Sequence, residues 1–285
     1  MLWRFDAVVL AFILPALMGA LILHHHQTVR RSLTLIGILA VLTLALALRR
    51  WGVWGLTALV VAGGLYEISR NWRVSWLALT LAGGLGVAAA ATAPFGASVW
   101  LLAVWGLTVL ASWVMPGRVV AGRGFAMALA LGIVGMGMGS WARLAILSPA
   151  GALTFIFLLQ MNDAFGYFGG HLCGHRHIVA AISPGKTLEG YVAGAMGTAI
   201  GVALAYHPLR LMMGANGLMA MGVGMSIVFM GNLGDLSFSK IKRHLNIKDF
   251  SGFLPGHGGI LDRFDNIMMV APAFLWLWHF LGLGR

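Results

Sequence analysis

Residues 234–265 read GDLSFSKIKRHLNIKDFSGFLPGHGGILDRFD. The segment carries four carboxylates and five Lys or Arg residues, and long apolar runs flank it on both sides. Charge is costly beside a bilayer, so a dense cluster of both signs at such a place marks a functional site. Asp235 stands at one end. A basic run follows at Lys240, Lys242, Arg243 and Lys248. Then come a Gly-rich turn, Pro255-Gly256-His257-Gly258-Gly259, and finally Asp262-Arg263-Phe264-Asp265. Carboxylates suit a hard cation, bases suit phosphate oxygens, and glycines allow close backbone approach. These are the parts of a nucleotide or pyrophosphate site.

The rest of the chain predicts an all-α polytopic membrane protein. Its 285 residues are 60% hydrophobic and only 9% charged, against about 25% charged in a soluble domain. Several apolar runs approach the roughly 20 residues that cross a hydrocarbon core. The net charge of +11 does not call for nucleic acid. Lys and Arg collect in the short cytoplasmic loops of membrane proteins, and no soluble domain is present to carry a basic face. Cys173, the one cysteine, excludes an internal disulfide and a multi-Cys metal site. The run from Phe5 to Leu23 reads as a first membrane helix rather than a signal peptide, because His24-His25-His26 follows it instead of small residues. Those histidines read as an interfacial loop.

The pattern predicts nine or ten transmembrane helices: 5–23, 32–48, 51–69, 74–93, 98–115, 124–141, 150–169, 188–206, 217–238 and 264–283. Arg49-Arg50 separates the second from the third, since two adjacent arginines do not sit at the midplane. If loops 170–187 and 239–263 face the cytoplasm, alternation puts 24–31, 70–73 and 116–123 there too. Only Arg4, Arg49, Arg50, Arg143, Arg210 and Arg285 then lie outside, and the other thirteen of the nineteen basic residues lie inside. The positive-inside bias favours that orientation. Acidic residues concentrate between Asp163 and Asp265, so residues 1–141 read as scaffold and 142–285 as the catalytic region of one integrated membrane domain.

A second polar segment runs from Asn162-Asp163 through Tyr167, Gly170, His171 and His175-Arg176-His177 to Ser183-Pro184-Gly185-Lys186-Thr187-Leu188-Glu189-Gly190. Asp163 is expected near the cytoplasmic end of an apolar helix. Ser183-Pro184 reads as a helix start, with Ser as N-cap and Pro at the first helical position. Free N–H groups there, with Lys186 beside them, suit phosphate. SPGKT lacks the spacing of a P-loop. Asp235 is expected to end one helix and Asp262 to begin the next, one turn before Asp265. Two carboxylates on one face and a third from a neighbour suit Mg²⁺. Pairing of these acids with Arg243, Arg263 and Lys248 is the plainer alternative, but it leaves the Gly-rich turn unexplained. His257 reads equally as a phosphate contact and as a structural loop residue. Gly190, Gly194, Gly197 and Gly201, and likewise Gly135, Gly137 and Gly139, read as stripes for close helix packing.

These residues carry a resemblance. Ser239-x-Ile241-Lys242-Arg243, Lys248-Asp249-x-Ser251, Leu254-Pro255-x-His257-Gly258-Gly259-Ile260 and Asp262-Arg263-Phe264-Asp265 match the signature of the phosphatidate cytidylyltransferases (CDP-diacylglycerol synthases) at its fixed positions. Asp163 to Gly190 resembles the upstream motif of that family, and Gly234-Asp235-Leu236 its Gly-Asp-Leu element. Glu67 is the loosest correspondence. The resemblance implies transfer of the cytidylyl group of CTP to phosphatidic acid, with Mg²⁺ and a possible second cation, giving CDP-diacylglycerol and pyrophosphate. It implies metal-binding carboxylates at Asp235, Asp262 and Asp265. It implies a nucleotide and phosphate site lined by Ser239, Lys242, Arg243, Lys248, His257, Gly258, Gly259 and Arg263, completed by Asp163, Ser183 and Lys186. It further implies contact with membrane lipids, a homodimer, and a bacterial inner membrane with the site facing the cytoplasm. The family commonly carries Arg or Lys where this chain has His171, and Lys-His-Lys where it has His175-Arg176-His177. That difference bears on lipid headgroup choice and leaves two rivals: a related lipid phosphate as substrate, or a non-catalytic lipid-binding or transport role.

Overall fold

A computed structural model describes Gly37 and residues 40–213, 216–253 and 258–280. The expected first span, His24 to His26, residues 32–36, 38 and 39 of the expected second span, His257 and residues 281–285 lie outside the described residues. The described residues are mostly helical, and a bridge between extended residues joins His177 to Thr187.

Helical residues 40–47 end in a turn at Leu48, and Arg49, with φ of 55°, starts α1 (Arg49–Trp72). The arginine pair therefore breaks the chain where its charge requires. Next come α2 (Trp76–Thr92), α3 (Phe95–Val114), the short α4 (Gly117–Val120) and α5 (Arg123–Leu147). Residues Leu129–Gly135 of α5 form a π-helical segment. After it come α6 (Pro149–Cys173), α7 (Leu188–Leu204), α8 (Tyr206–Met213), α9 (Gly217–His244) and α10 (Leu261–Phe280). Of these, α1, α5 and α9 are long and apolar enough to cross a membrane, and α2, α7 and most of α3 are apolar but shorter. Leu77, Leu81 and Leu85, one turn apart on α2, are 68%, 68% and 65% exposed. A stripe of bare leucines is what a lipid-facing helix presents.

The small-residue stripes pack as expected. A Cβ on Gly190 or Gly194 of α7 would meet the backbone oxygens of Gly166 or Asn162 on α6 at 2.9 Å, and one on Gly137 of α5 would meet the Met268 backbone of α10. Helices from both halves of the sequence thus share one interior.

Three helices run clearly further than the sequence pattern predicts, the one expected at 124–141 continuing to Leu147. The helix expected at 150–169 continues to Cys173, so Asp163 lies ten residues, or about 15 Å, before its end. The helix expected at 217–238 continues to His244, so Ser239, Lys240, Lys242 and Arg243 belong to helix and not to a loop. Polar residues can extend a helix past its membrane span, where backbone bonding continues without apolar periodicity. Asn246, with φ of 57°, then stops α9. Its N–H donates to Arg243 O at 3.1 Å and that of Ile247 to Lys242 O at 3.0 Å, a Schellman cap.

Ser183-Pro184 corrects another expectation. It does not start a helix. Residues 183–186 turn, with Lys186 N–H donating to Ser183 O at 3.2 Å, and α7 begins at Leu188 under Thr187, whose hydroxyl accepts from Gly190 N–H. Thr187 adjoins the apolar run and Ser183 does not. The same dipeptide does start α6, where the Ser148 hydroxyl accepts from Gly151 N–H and Pro149 takes the first position.

Four corners expected on one side of the membrane meet at one end of the bundle. The Trp72 indole N–H donates to Val120 O at 2.9 Å, its ring stacks on Phe250, and Arg243 Nε donates to Ile182 O at 3.2 Å. At the other end, Arg143 donates to Ala93 O at 2.6 Å and caps α2.

Candidate active site

The polar residues of α6, α9 and α10 and of the 174–187 loop converge at the end where those corners meet. Two ion pairs organise them. Lys186 Nζ lies 2.6 Å from Asp235 Oδ2, joining the loop to α9. Lys242 Nζ lies 2.6 Å from Asp262 Oδ1, joining α9 to the start of α10. The pairs differ in exposure. The side chains of Lys186 and Asp235 are 20% and 40% exposed, against 16% and 4% for Lys242 and Asp262. Asp235 is therefore the open carboxylate. The other oxygen of Asp262 accepts from Phe250 N–H and Gly259 N–H, both at 2.9 Å, so Asp262 closes the 250–259 loop onto α10. Gly258 has φ of +80° and lies against Asp262, where a Cβ would sit 2.9 Å from Oδ2. Only glycine suits that position.

Asp163 is exposed despite its depth along α6. Asn162 Nδ2 donates to its Oδ1 at 3.2 Å and Asn266 Nδ2 of α10 to its Oδ2 at 3.0 Å. The Oδ1 atoms of both asparagines and the hydroxyl of Tyr191 are buried without a partner among the described residues. Such atoms suit a polar ligand. Asp265 is buried behind this group, with Oδ1 accepting from Asn266 N–H at 2.8 Å.

Arg243, Lys248 and Arg263 are exposed at the same end, and Ser239 is partly buried on α9. Lys240 turns away: Nζ donates to Trp113 O at 2.6 Å and lies 4.8 Å above the Trp113 ring. His171, His175, Arg176 and His177 are exposed around the 174–187 loop. Glu189 fastens that loop to α7, accepting from His175 N–H and Arg176 N–H at 3.1 and 3.2 Å.

Sequence reasoning missed Asn266 and Tyr191 and gave Asn162 no role. The available signal was an Asn beside an Asp in each of two apolar helices, Asn162-Asp163 and Asp265-Asn266.

The site can receive an anion between its bases and a hard cation at its carboxylates. Among the described residues, no three Asp, Glu, His or Cys side chains are arranged to hold a metal by themselves. Mg²⁺ does not need three. It commonly takes one or two carboxylates with phosphate oxygens and water, and an open Asp235 flanked by oxygen-rich side chains fits that mode.

Comparison with known proteins agrees with this chemistry. The model of the Cytidylyltransferase family matches residues 29–281. The uncharacterized protein YnbB of Escherichia coli K12 is 42% identical over 129 residues, 44% of this chain and 42% of that protein. The phosphatidate cytidylyltransferase of Staphylococcus aureus COL is 38% identical over 125 residues, 42% of this chain and 46% of that enzyme. That of Bacillus subtilis 168 is 36% identical over 129 residues, 44% of this chain and 47% of that enzyme. Each of these matches spans less than half the length of the relative. The family model, by contrast, covers nearly the whole chain, helices of both halves included, and the chain belongs to the Cytidylyltransferase family.

Proposed function

We propose that this protein transfers the cytidylyl group of CTP to phosphatidic acid at the cytoplasmic face of a bacterial inner membrane, releasing CDP-diacylglycerol and pyrophosphate. The observation that carries this reading is the convergence of the Lys186–Asp235 and Lys242–Asp262 pairs with Asp163 at one end of an apolar bundle. A membrane site of that kind suits a substrate whose tails stay in the bilayer while its headgroup meets a soluble nucleotide.

The nucleophile is a phosphate oxygen, already an anion, so no strong general base is needed. The obstacle is bringing one anion to the α-phosphorus of another. Lys186, Lys242, Arg243, Lys248 and Arg263 offset that repulsion and the charge on departing pyrophosphate. Ser183, Ser239, His257 and the Gly258-Gly259 backbone contact phosphate oxygens. A bound Mg²⁺, with or without a second cation, would supply further charge neutralisation at the phosphates. Asp235 would hold it, with Asp262 and Asp265 as further carboxylates. The cytosine is read by analogy to the family alone.

One observation favours a second reading. His171, His175 and His177 are exposed where a lipid headgroup would approach, and an imidazole offers an anion fewer donors than a Lys ammonium. A polyprenyl or ether lipid phosphate is the alternative substrate. Purified protein with labelled CTP, Mg²⁺ and a panel of lipid phosphates separates the readings. Product from phosphatidic acid supports the first, and product from another lipid phosphate alone supports the second. No CDP-lipid from any of them refutes both and favours a binding or transport role. Native mass spectrometry in detergent tests the homodimer.

A further inference from the structure

Glu67 is 2% exposed on α1, far from the rest of the acidic residues in sequence. A buried carboxylate is costly without partners, and this one has three. Oε1 accepts from Ser251 Oγ–H at 2.6 Å and from Ile260 N–H at 2.7 Å, and Oε2 accepts from Leu261 N–H at 2.9 Å. One turn further along α1, Asn71 Nδ2 donates to Phe250 O at 2.9 Å. Trp72 stacks on the Phe250 ring, with centroids 6.2 Å apart. Both ends of the 250–261 loop are thus fastened to a helix of the N-terminal half. Gly259 fits the same arrangement, since a Cβ there would overlap the Glu67 carboxylate. Glu67 also takes N–H groups at the start of α10, where the helix dipole favours an acceptor of negative charge.

We infer that Glu67 is a positioning residue for the nucleotide site. It fixes the 250–261 loop and the first turn of α10, and through them the placement of Asp262, Lys248 and Arg263. It touches no reacting atom itself. Glu67 and Asp262 divide the loop between them: Asp262 holds the N–H groups of Phe250 and Gly259, and Glu67 those of Ile260 and Leu261. This role rests on the proposed cytidylyl transfer for its catalytic consequence, but the fastening of the loop does not.

The test compares full-length wild type, Glu67→Gln and Ser251→Ala in detergent. The first readout is the rate of tryptic cleavage after Lys248, mapped by mass. The second is turnover with CTP and lipid phosphate, resolved into kcat and KM and expressed per folded protein. Glu67→Gln should be cut at least about fivefold faster and lose at least about tenfold in kcat, with KM for the lipid within about twofold, since misplacing a catalytic group costs rate more than binding. Ser251→Ala, a gentler change, should move both readouts the same way by about threefold, and should add little to Glu67→Gln. Wild-type protection and kcat in Glu67→Gln would overturn the proposal. So would a loss of activity matched by an equal loss of folded protein. Should Glu67→Gln fail to fold, unchanged cleavage and kcat in Ser251→Ala would overturn it. If wild type shows no transfer, the proposed function falls while the cleavage rates still decide the anchor.

Discussion

Replacing Lys242 by Met tests the buried ion pair on which the site rests. Asp262 is 4% exposed in its side chain and Lys242 is 16% exposed, so removal of the lysine leaves a carboxylate charge without its counter-ion in a dry place. Breaking a buried pair costs about 3–5 kcal/mol. Asp262 retains two backbone N–H donors, which puts the expected loss near the lower end, about 3 kcal/mol. Each kcal/mol lowers Tm by about 2–4 °C in chains of this class, so Lys242→Met should melt about 6–12 °C below wild type in detergent. Asp262→Asn removes the charge but keeps an oxygen toward Phe250 and Gly259. The double variant Lys242→Met/Asp262→Asn should therefore lose at least about 1 kcal/mol less than the two single losses added together. Thermal unfolding of the four proteins measures this cycle. A Lys242→Met protein that melts within about 1 °C of wild type, or two losses that simply add, would refute a stabilising buried pair. All three variants should lack cytidylyl transfer, because Lys242 faces the phosphates in the proposed reaction.

Gly258→Ala forces a side chain into φ of +80° and against Asp262 Oδ2. It should cost about 1–3 kcal/mol in thermal unfolding and reduce turnover more than tenfold. Arg143→Ala uncaps α2 at the opposite end of the bundle, leaving the carbonyl of Ala93 without its donor. A loss of about 1–2 kcal/mol in stability is expected, with KM for CTP unchanged.

Much of the fold was legible in the sequence because bilayer physics constrains it so tightly. Apolar runs and charged breaks marked the longer described helices, and Arg49-Arg50 did end one and begin another, but the short α4 and α8 had no counterpart among the expected spans. Helix ends were less legible. Asp163 and Asp235 lie ten and nine residues before the ends of α6 and α9, since helical hydrogen bonding does not stop where hydropathy falls. Ser183-Pro184 misled because the dipeptide serves a turn as well as a cap. Within the candidate site, Lys186, Asp235, Lys242 and Asp262 were all named in advance, but their pairing was not. Pairing depends on which helices pack together, and no local pattern records that. Glu67 was the extreme case: its partners lie more than 180 residues away.

The position of α5 at the centre of the bundle has a consequence for how the chain is made. It is apolar enough to cross a bilayer alone, yet most of its surface is buried against other helices. α6 and α10 are in the opposite condition, since α6 carries Asp163 and α10 carries Asp262 and Asp265, and neither is among the helices apolar enough to cross unaided. A segment of that kind is stable in lipid only when its charges already have partners. Placement of α10 is therefore expected to depend on helices already in the bilayer, among them α5, whose Gly137 packs on the Met268 backbone. A substitution that weakens α5 would appear first as failed insertion of α10, far along the chain from the change itself.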